Sequence, residues 1–99
     1  MIRHVVMWKL KAEDEEGRAV AIAEIAAALE PLVDVIDELL SLTVSANVID
    51  NGFNWDAILV SDFAEADHVS VYQKHPAHVE AAAVPLALAS ARTAVDYEV

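Results

Sequence analysis

Cysteine is absent from this chain, glycine occurs twice, proline three times, and lysine and arginine together number six. Each shortage removes a class of function. Without thiols there is neither a disulfide framework nor a thiolate metal centre, and the chain suits a reducing cytoplasm, the location expected for it. Two glycines do not supply the glycine-rich loops that announce a nucleotide cofactor, so no cofactor is expected. Seventeen acidic residues against those six basic ones give a formal net charge of −11, which repels nucleic acid and anionic lipid head groups. Neither is an expected partner. The N-terminal apolar run is interrupted by Arg3, His4, Lys9 and Lys11, and no later stretch reaches membrane-spanning length, so a soluble, unprocessed chain is expected. At 99 residues it is read as one domain over 1–99, small enough that a partner subunit adds useful buried surface.

What is present is a sequence of periodicities. Ile2 to Lys11 alternates as a strand, with apolar residues on both faces and His4 as the polar exception on one of them. The acidic run Glu13 to Glu16 favours the positive end of a starting helix, and Ile22, Ile25, Ala26 and Leu29 then recur at helical spacing until Pro31. Leu32 to Leu40 keeps that spacing through Val33, Ile36 and Leu40, predicting a short helical turn. Leu42 to Val48 and Trp55 to Phe63 alternate on either side of Asp50, Asn51, Gly52 and Asn54, which predicts a hairpin. Ala64 to Lys74 reads as a helix with Val69 and Tyr72 on one side. His75 precedes a proline, where helical backbone is disfavoured, so that helix breaks and Pro76 opens another. The new helix runs from Ala77 to Ala91, divided at Pro85, and Thr93 to Val99 closes as a strand. This order predicts an α+β, ferredoxin-like unit: a four-stranded antiparallel sheet with helices on one face. Its other face carries Val5, Met7, Ile58 and Val60, too apolar for water, and a homodimer with facing sheets covers it most simply.

Chemically versatile side chains crowd together only in YQKHPAHVE, Tyr72 to Glu80. His78 falls in the first turn of the helix opened by Pro76, where the positive helix end disfavours the imidazolium and leaves a neutral ring as a proton acceptor. Tyr72 is placed to donate to an oxygen that gains charge as a carbonyl becomes an enolate, and His4 to orient a substrate or relay the proton. The plainer alternative makes the same residues structural: His75 caps the helix, Tyr72 buries its ring, and His78 and His4 satisfy backbone and core polar groups. His75 and His78 do not pair as metal ligands, because Pro76 breaks the helix that would align them and no cysteine supports the site, so no metal is expected. Lys9, Lys11 and Arg3 share a strand face and suit ion pairs with the abundant carboxylates.

IRHVVMWKLK, SLTVSANV, WDAILVSDF, YQKHPAHVE and VDYEV, spread over essentially the whole chain, resemble the stress-responsive dimeric α/β-barrel (Dabb) domain family. The pairing of RHVV near the start with HPAHV late carries the likeness. It implies a homodimer whose two ferredoxin-like sheets form a barrel with helices outside, in a family where most members have no assigned reaction and a fold hosts many functions. The expectation is thus a stress-associated protein with a structural or small-molecule-binding role. One branch, the plant polyketide cyclases, performs a cofactor-free intramolecular aldol condensation of a polyketide thioester. That likeness would make His78 the base and Tyr72 its partner, with His4 lining the same cavity around a small apolar or polyketide-like ligand. It departs at Ala57, where the cyclases place a further histidine, and along the alanine-rich stretch Glu80 to Ala91. Some plant members also hold a divalent cation on main-chain carbonyls, which would correspond to Val33, Ile36 and Leu39.

Overall fold

The computed structural model describes residues 1–99. Strand β1 (Ile2–Leu10) leads to α1 (Glu15–Leu29) and a 3₁₀ turn (Glu30–Asp34), then to β2 (Ser41–Ala46) and β3 (Ala57–Phe63). Helices α2 (Ala66–Lys74), α3 (Pro76–Ala81) and α4 (Ala83–Leu88) follow, and β4 (Ala89–Glu98) ends the chain. The strands form one sheet in the order β2-β3-β1-β4, with every neighbouring pair antiparallel. This is the α+β, ferredoxin-like architecture that the alternation predicts. Each strand shows one face to the helices, because successive side chains point to opposite sides of a sheet. In β1 that face is His4, Val6, Trp8 and Leu10, all buried, and in β3 it is Ala57, Leu59, Ser61 and Phe63. Ile25 and Leu29 of α1 and Val69 and Tyr72 of α2 close the core over them.

Local chemistry sets the helix ends. Asp14 caps α1 by accepting the Gly17 N–H at 2.7 Å, satisfying a donor that the helix leaves unpaired. His75 ends α2 in extended backbone, ψ 134°, and its Nδ1 accepts the Ala77 N–H at 3.1 Å, so it caps α3 as the sequence predicts. The break further on falls at Ala82, three residues before Pro85. Pro85 has no N–H for the Ala81 carbonyl and its ring would collide with it, so α3 ends there and Pro85 sits inside the first turn of α4.

Several boundaries differ from expectation. Helix does not extend to Ala91: β4 begins at Ala89, with Leu10 opposite Ala89 and Lys9 opposite Ala91 across a register shift. Alanine's helix preference is worth only tenths of a kcal/mol per residue, and a continuous ladder along the edge of β1 outweighs it. Leu39, not Leu40, enters the core, and Leu40 is 50% exposed, because the chain after Leu29 winds as a 3₁₀ turn and then loses helical period. Val48 and Trp55 lie outside the strands, in a connection whose turn is held by Asn51 Oδ1 accepting the Phe53 and Asn54 N–H groups, each at 3.0 Å. Gly52 takes φ 80°, a left-handed conformation that suits glycine there.

On the face away from the helices Val5, Met7, Ile58 and Val60 are half-buried, and Val95 and Tyr97 of β4 join them at 57% and 43% exposure. Arg3 crosses this face to Asp62 with Nε–Oδ1 2.8 Å and Nη2–Oδ2 3.0 Å, and that pair holds the Asp62 carboxyl below its usual pKa. Lys9 lies over the Trp55 ring, 5.1 Å from its centre, so of the two cations on this strand Arg3 takes a carboxylate and Lys9 an aromatic face.

Phe63 is wholly buried beside Tyr72, with ring centres 5.3 Å apart. Phe63→Ala should lower unfolding free energy by about 3–5 kcal/mol in urea titrations, as truncations of buried aromatics do. A loss below about 1 kcal/mol would contradict the packing described.

Candidate functional site

Between the helix-facing side of β1 and β4 and the helices α2, α3 and α4 lies a cavity of about 320 Å³. That is near the lower end of the roughly 300–1,000 Å³ of small-molecule sites. Its polar wall is made by His4, Tyr72, Gln73, His78 and Arg92, and its apolar wall includes Val6, Trp8, Leu29 and Leu59. All three histidine and tyrosine positions singled out in the sequence therefore border one space. His4 comes from β1, Tyr72 from the buried face of α2, and His78 from α3. The turn at His75–Pro76 folds α3 back so that the His78 ring lies 4.3 Å from the Tyr72 ring, while the His4 ring lies 6.4 Å from it.

The hydrogen bonds assign the protons. His78 Nδ1 faces the Gln73 carbonyl oxygen at 3.1 Å, and since a carbonyl only accepts, Nδ1 carries the hydrogen. A neutral His78 then has a bare Nε2, which takes no hydrogen bond within the chain. Burial pushes the His78 pKa below 6.5, with the nearby His4 and Arg92 charges acting in the same direction against the raising effect of the Gln73 carbonyl. The origin differs from the sequence expectation. Helix α3 has only six residues, and burial leads where the helix end was expected to.

Tyr72 is 1% exposed, and burial pushes its hydroxyl up to about 12 against a small lowering by Arg92. It stays protonated near neutral pH, a hydrogen-bond donor with no partner inside the chain. His4 Nδ1 is bonded to the Asp96 carboxylate, which sits directly opposite it in the β1–β4 register. That bond fixes the His4 proton on Nδ1 and orients the ring, in the way a carboxylate orients a histidine in many sites.

Asp96, Arg92 and the Gln73 carbonyl are the contributors that sequence reasoning missed. The signal for the first two was available only through register, since β1 and β4 pair so that His4 meets Asp96 and Trp8 meets Arg92. Ala57 does not border this cavity. It lines a second recess of about 360 Å³ with Met7, Phe53 and Trp55, and the β3 residue facing the histidines is Leu59. Of the Val33, Ile36 and Leu39 carbonyls, that of Ile36 accepts the Leu39 N–H at 3.1 Å.

The stability of the fold should register the His78 environment. With the folded pKa below 6.5, the unfolded chain takes up the proton first. The contribution of the neutral ring is whole above 6.5 and is lost as pH falls through the folded value. Urea midpoints measured from about pH 7 to pH 5 should fall less steeply in His78→Gln than in the wild type. Equal slopes would contradict the burial of the ring.

Comparison with known proteins gives the same frame. The model of the stress responsive A/B barrel domain, Dabb, matches residues 2–99. A dimeric protein of unknown function and ferredoxin-like fold from Bacteroides fragilis is 30% identical with TM-score 0.85, over 99% of this chain and 95% of that one. A dimeric ferredoxin-like protein of unknown function from Thermobifida fusca is 25% identical with TM-score 0.80, over 99% and 90%. A hydroxynitrile lyase from Passiflora edulis shares the fold with TM-score 0.81 at 16% identity, over 99% and 92%. No curated protein matches the sequence.

Proposed function

The chain belongs to the stress responsive A/B barrel domain family, and we propose on that footing that it is a homodimer whose protomers each carry a cofactor-free site for proton transfer on a small, largely apolar carbonyl compound. One observation carries the reading. A histidine with a bare Nε2 and a lowered pKa lies beside a protonated, unpartnered tyrosine hydroxyl in a cavity of ligand size. Nε2 of His78 removes a proton from the carbon next to the carbonyl. The C–H electron pair moves into a carbon–carbon double bond, and the carbonyl oxygen gains the negative charge that the Tyr72 hydroxyl receives by hydrogen bond. The enolate carbon then attacks a second carbonyl, whose π pair moves onto its oxygen, and that alkoxide takes the proton held on His78 Nε2, which closes an aldol addition; the same steps run backwards as a lyase. His4, held by Asp96 with its ring 6.4 Å from that of Tyr72, orients the carbonyl.

A second reading, ligand binding without turnover, is favoured by the cavity wall at β3, which offers Leu59 and no titratable side chain. Exchange of the α-protons of a diketide thioester into D₂O, followed by NMR, separates the two. Wild type should accelerate exchange, His78→Ala should lose about 10²–10⁴ of the rate, and Tyr72→Phe about 10²–10³. No acceleration by the wild type, or equal acceleration in His78→Ala, would reject the base.

The dimer rests on the sheet face of Val5, Met7, Ile58 and Val60, extended by Val95 and Tyr97, which is too apolar to face water. Sedimentation at micromolar concentration should give a mass of twice 10.7 kDa. Val60→Lys should return one chain's mass, and a wild type already at one chain's mass would contradict the interface.

A further inference from the structure

Arg92 is the one full cation on the cavity wall, and nothing in the chain neutralises it. The molecule carries seventeen carboxylates, yet none lies within ion-pair distance of this guanidinium. The nearest candidate along β4 on the same face is Asp96, four residues on and so roughly 13 Å away along the strand, and it is committed to His4. Of the six lysines and arginines only Arg3 has a carboxylate partner, Asp62 on the far side of the sheet, while Arg18 donates to the Glu13 carbonyl and Lys9 covers Trp55. Arg92 is the one that borders the cavity, where its guanidinium is free to pair with an anionic ligand.

We infer that Arg92 is an anion-recognising residue of this cavity, and that the ligand is a small apolar compound bearing one carboxylate. The inference rests on the cavity being the ligand site and names the class of molecule it takes. Charge favours a carboxylate over a phosphate group. A guanidinium fork takes either in a bidentate way, but a single positive charge balances only a single negative one. His78 adds no charge while neutral, and the His4 proton on Nδ1 already faces Asp96. A phosphate dianion would leave one charge uncompensated in a molecule of net −11. The apolar wall of Val6, Trp8, Leu29 and Leu59 fits the rest of such a ligand. Arg92 lies on β4 opposite Trp8, so a carboxylate held there places the ligand's body along β1 toward Tyr72 and His78.

Titration calorimetry at pH 7.5 with 3-phenylpropanoate and its neutral amide, together with NMR of the His78 and Tyr72 rings, tests this. The acid should bind about tenfold or more tighter than the amide, the range of a charge-assisted hydrogen bond. Arg92→Gln should erase that preference while keeping amide binding, and Arg92→Lys should retain part of it. Arg92 is exposed on an edge strand, and amide binding by the glutamine variant reports that the cavity is intact. Equal affinity of acid and amide for the wild type, or an undiminished acid preference in Arg92→Gln, would overturn the inference and leave the cavity reading standing. If neither compound perturbs the His78 and Tyr72 rings, the cavity reading falls and this inference with it.

Discussion

Strand β1 is hydrogen-bonded along both edges, to β3 on one side and β4 on the other, and the cavity's chemistry depends on the register of those two ladders. Because side chains alternate across a sheet, one residue of slip would turn His4, Val6 and Trp8 away from the helices and bring Val5 and Met7 in. The β4 ladder does more than hold an edge. It sets Asp96 opposite His4 and Arg92 opposite Trp8, so a carboxylate and a guanidinium reach the helix-facing side from a strand whose own residues are mostly exposed. The β3 ladder brings Leu59 and Phe63 under α2, and Phe63 supports the ring of Tyr72.

Against that sheet the helices have one sharp feature, the turn at His75–Pro76. It ends α2 just after Tyr72 and starts α3 just before His78, which is why two side chains six residues apart meet at a ring separation of 4.3 Å. A continuous helix would have rotated them onto different faces. The consequence is electrostatic. Burial keeps His78 neutral and Tyr72 protonated, so base and donor are each in the form that proton transfer at a carbonyl needs near neutral pH. No carboxylate lines the cavity wall: Asp96 reaches it only through His4, and Arg92 stands there as its unbalanced charge.

Much of this was legible in the chain. The alternation of Ile2 to Lys11 and of Trp55 to Phe63, the helical repeat of Ile25 and Leu29, and the Lys74-His75-Pro76 stop are local signals, and the structure follows them with β1 ending at Leu10 and β3 starting at Ala57. Tyr72, His78 and His4 could be named because two lie in one motif and the third is a polar residue on an apolar strand face. Asp96 and Arg92 carried no such mark. They are ordinary charged residues at the end of the chain, and their role exists only through pairing with a strand some ninety residues earlier, which local patterns do not encode. The start of β4 was hidden for a related reason, since Ala89 and Ala91 read as helix until the edge of β1 claims them. Nor did composition reveal that Ala57 lies outside the cavity, because that follows from where the helices cross β3.

The chemistry of the cavity turns on one ring. Nitrogen-15 correlation spectra of the His78 imidazole at neutral pH test it most directly, since they report both charge and tautomer. The prediction is a neutral ring with its proton on Nδ1, held by the Gln73 carbonyl, and a bare Nε2. A doubly protonated ring, or a proton on Nε2 with Nδ1 bare, would contradict it.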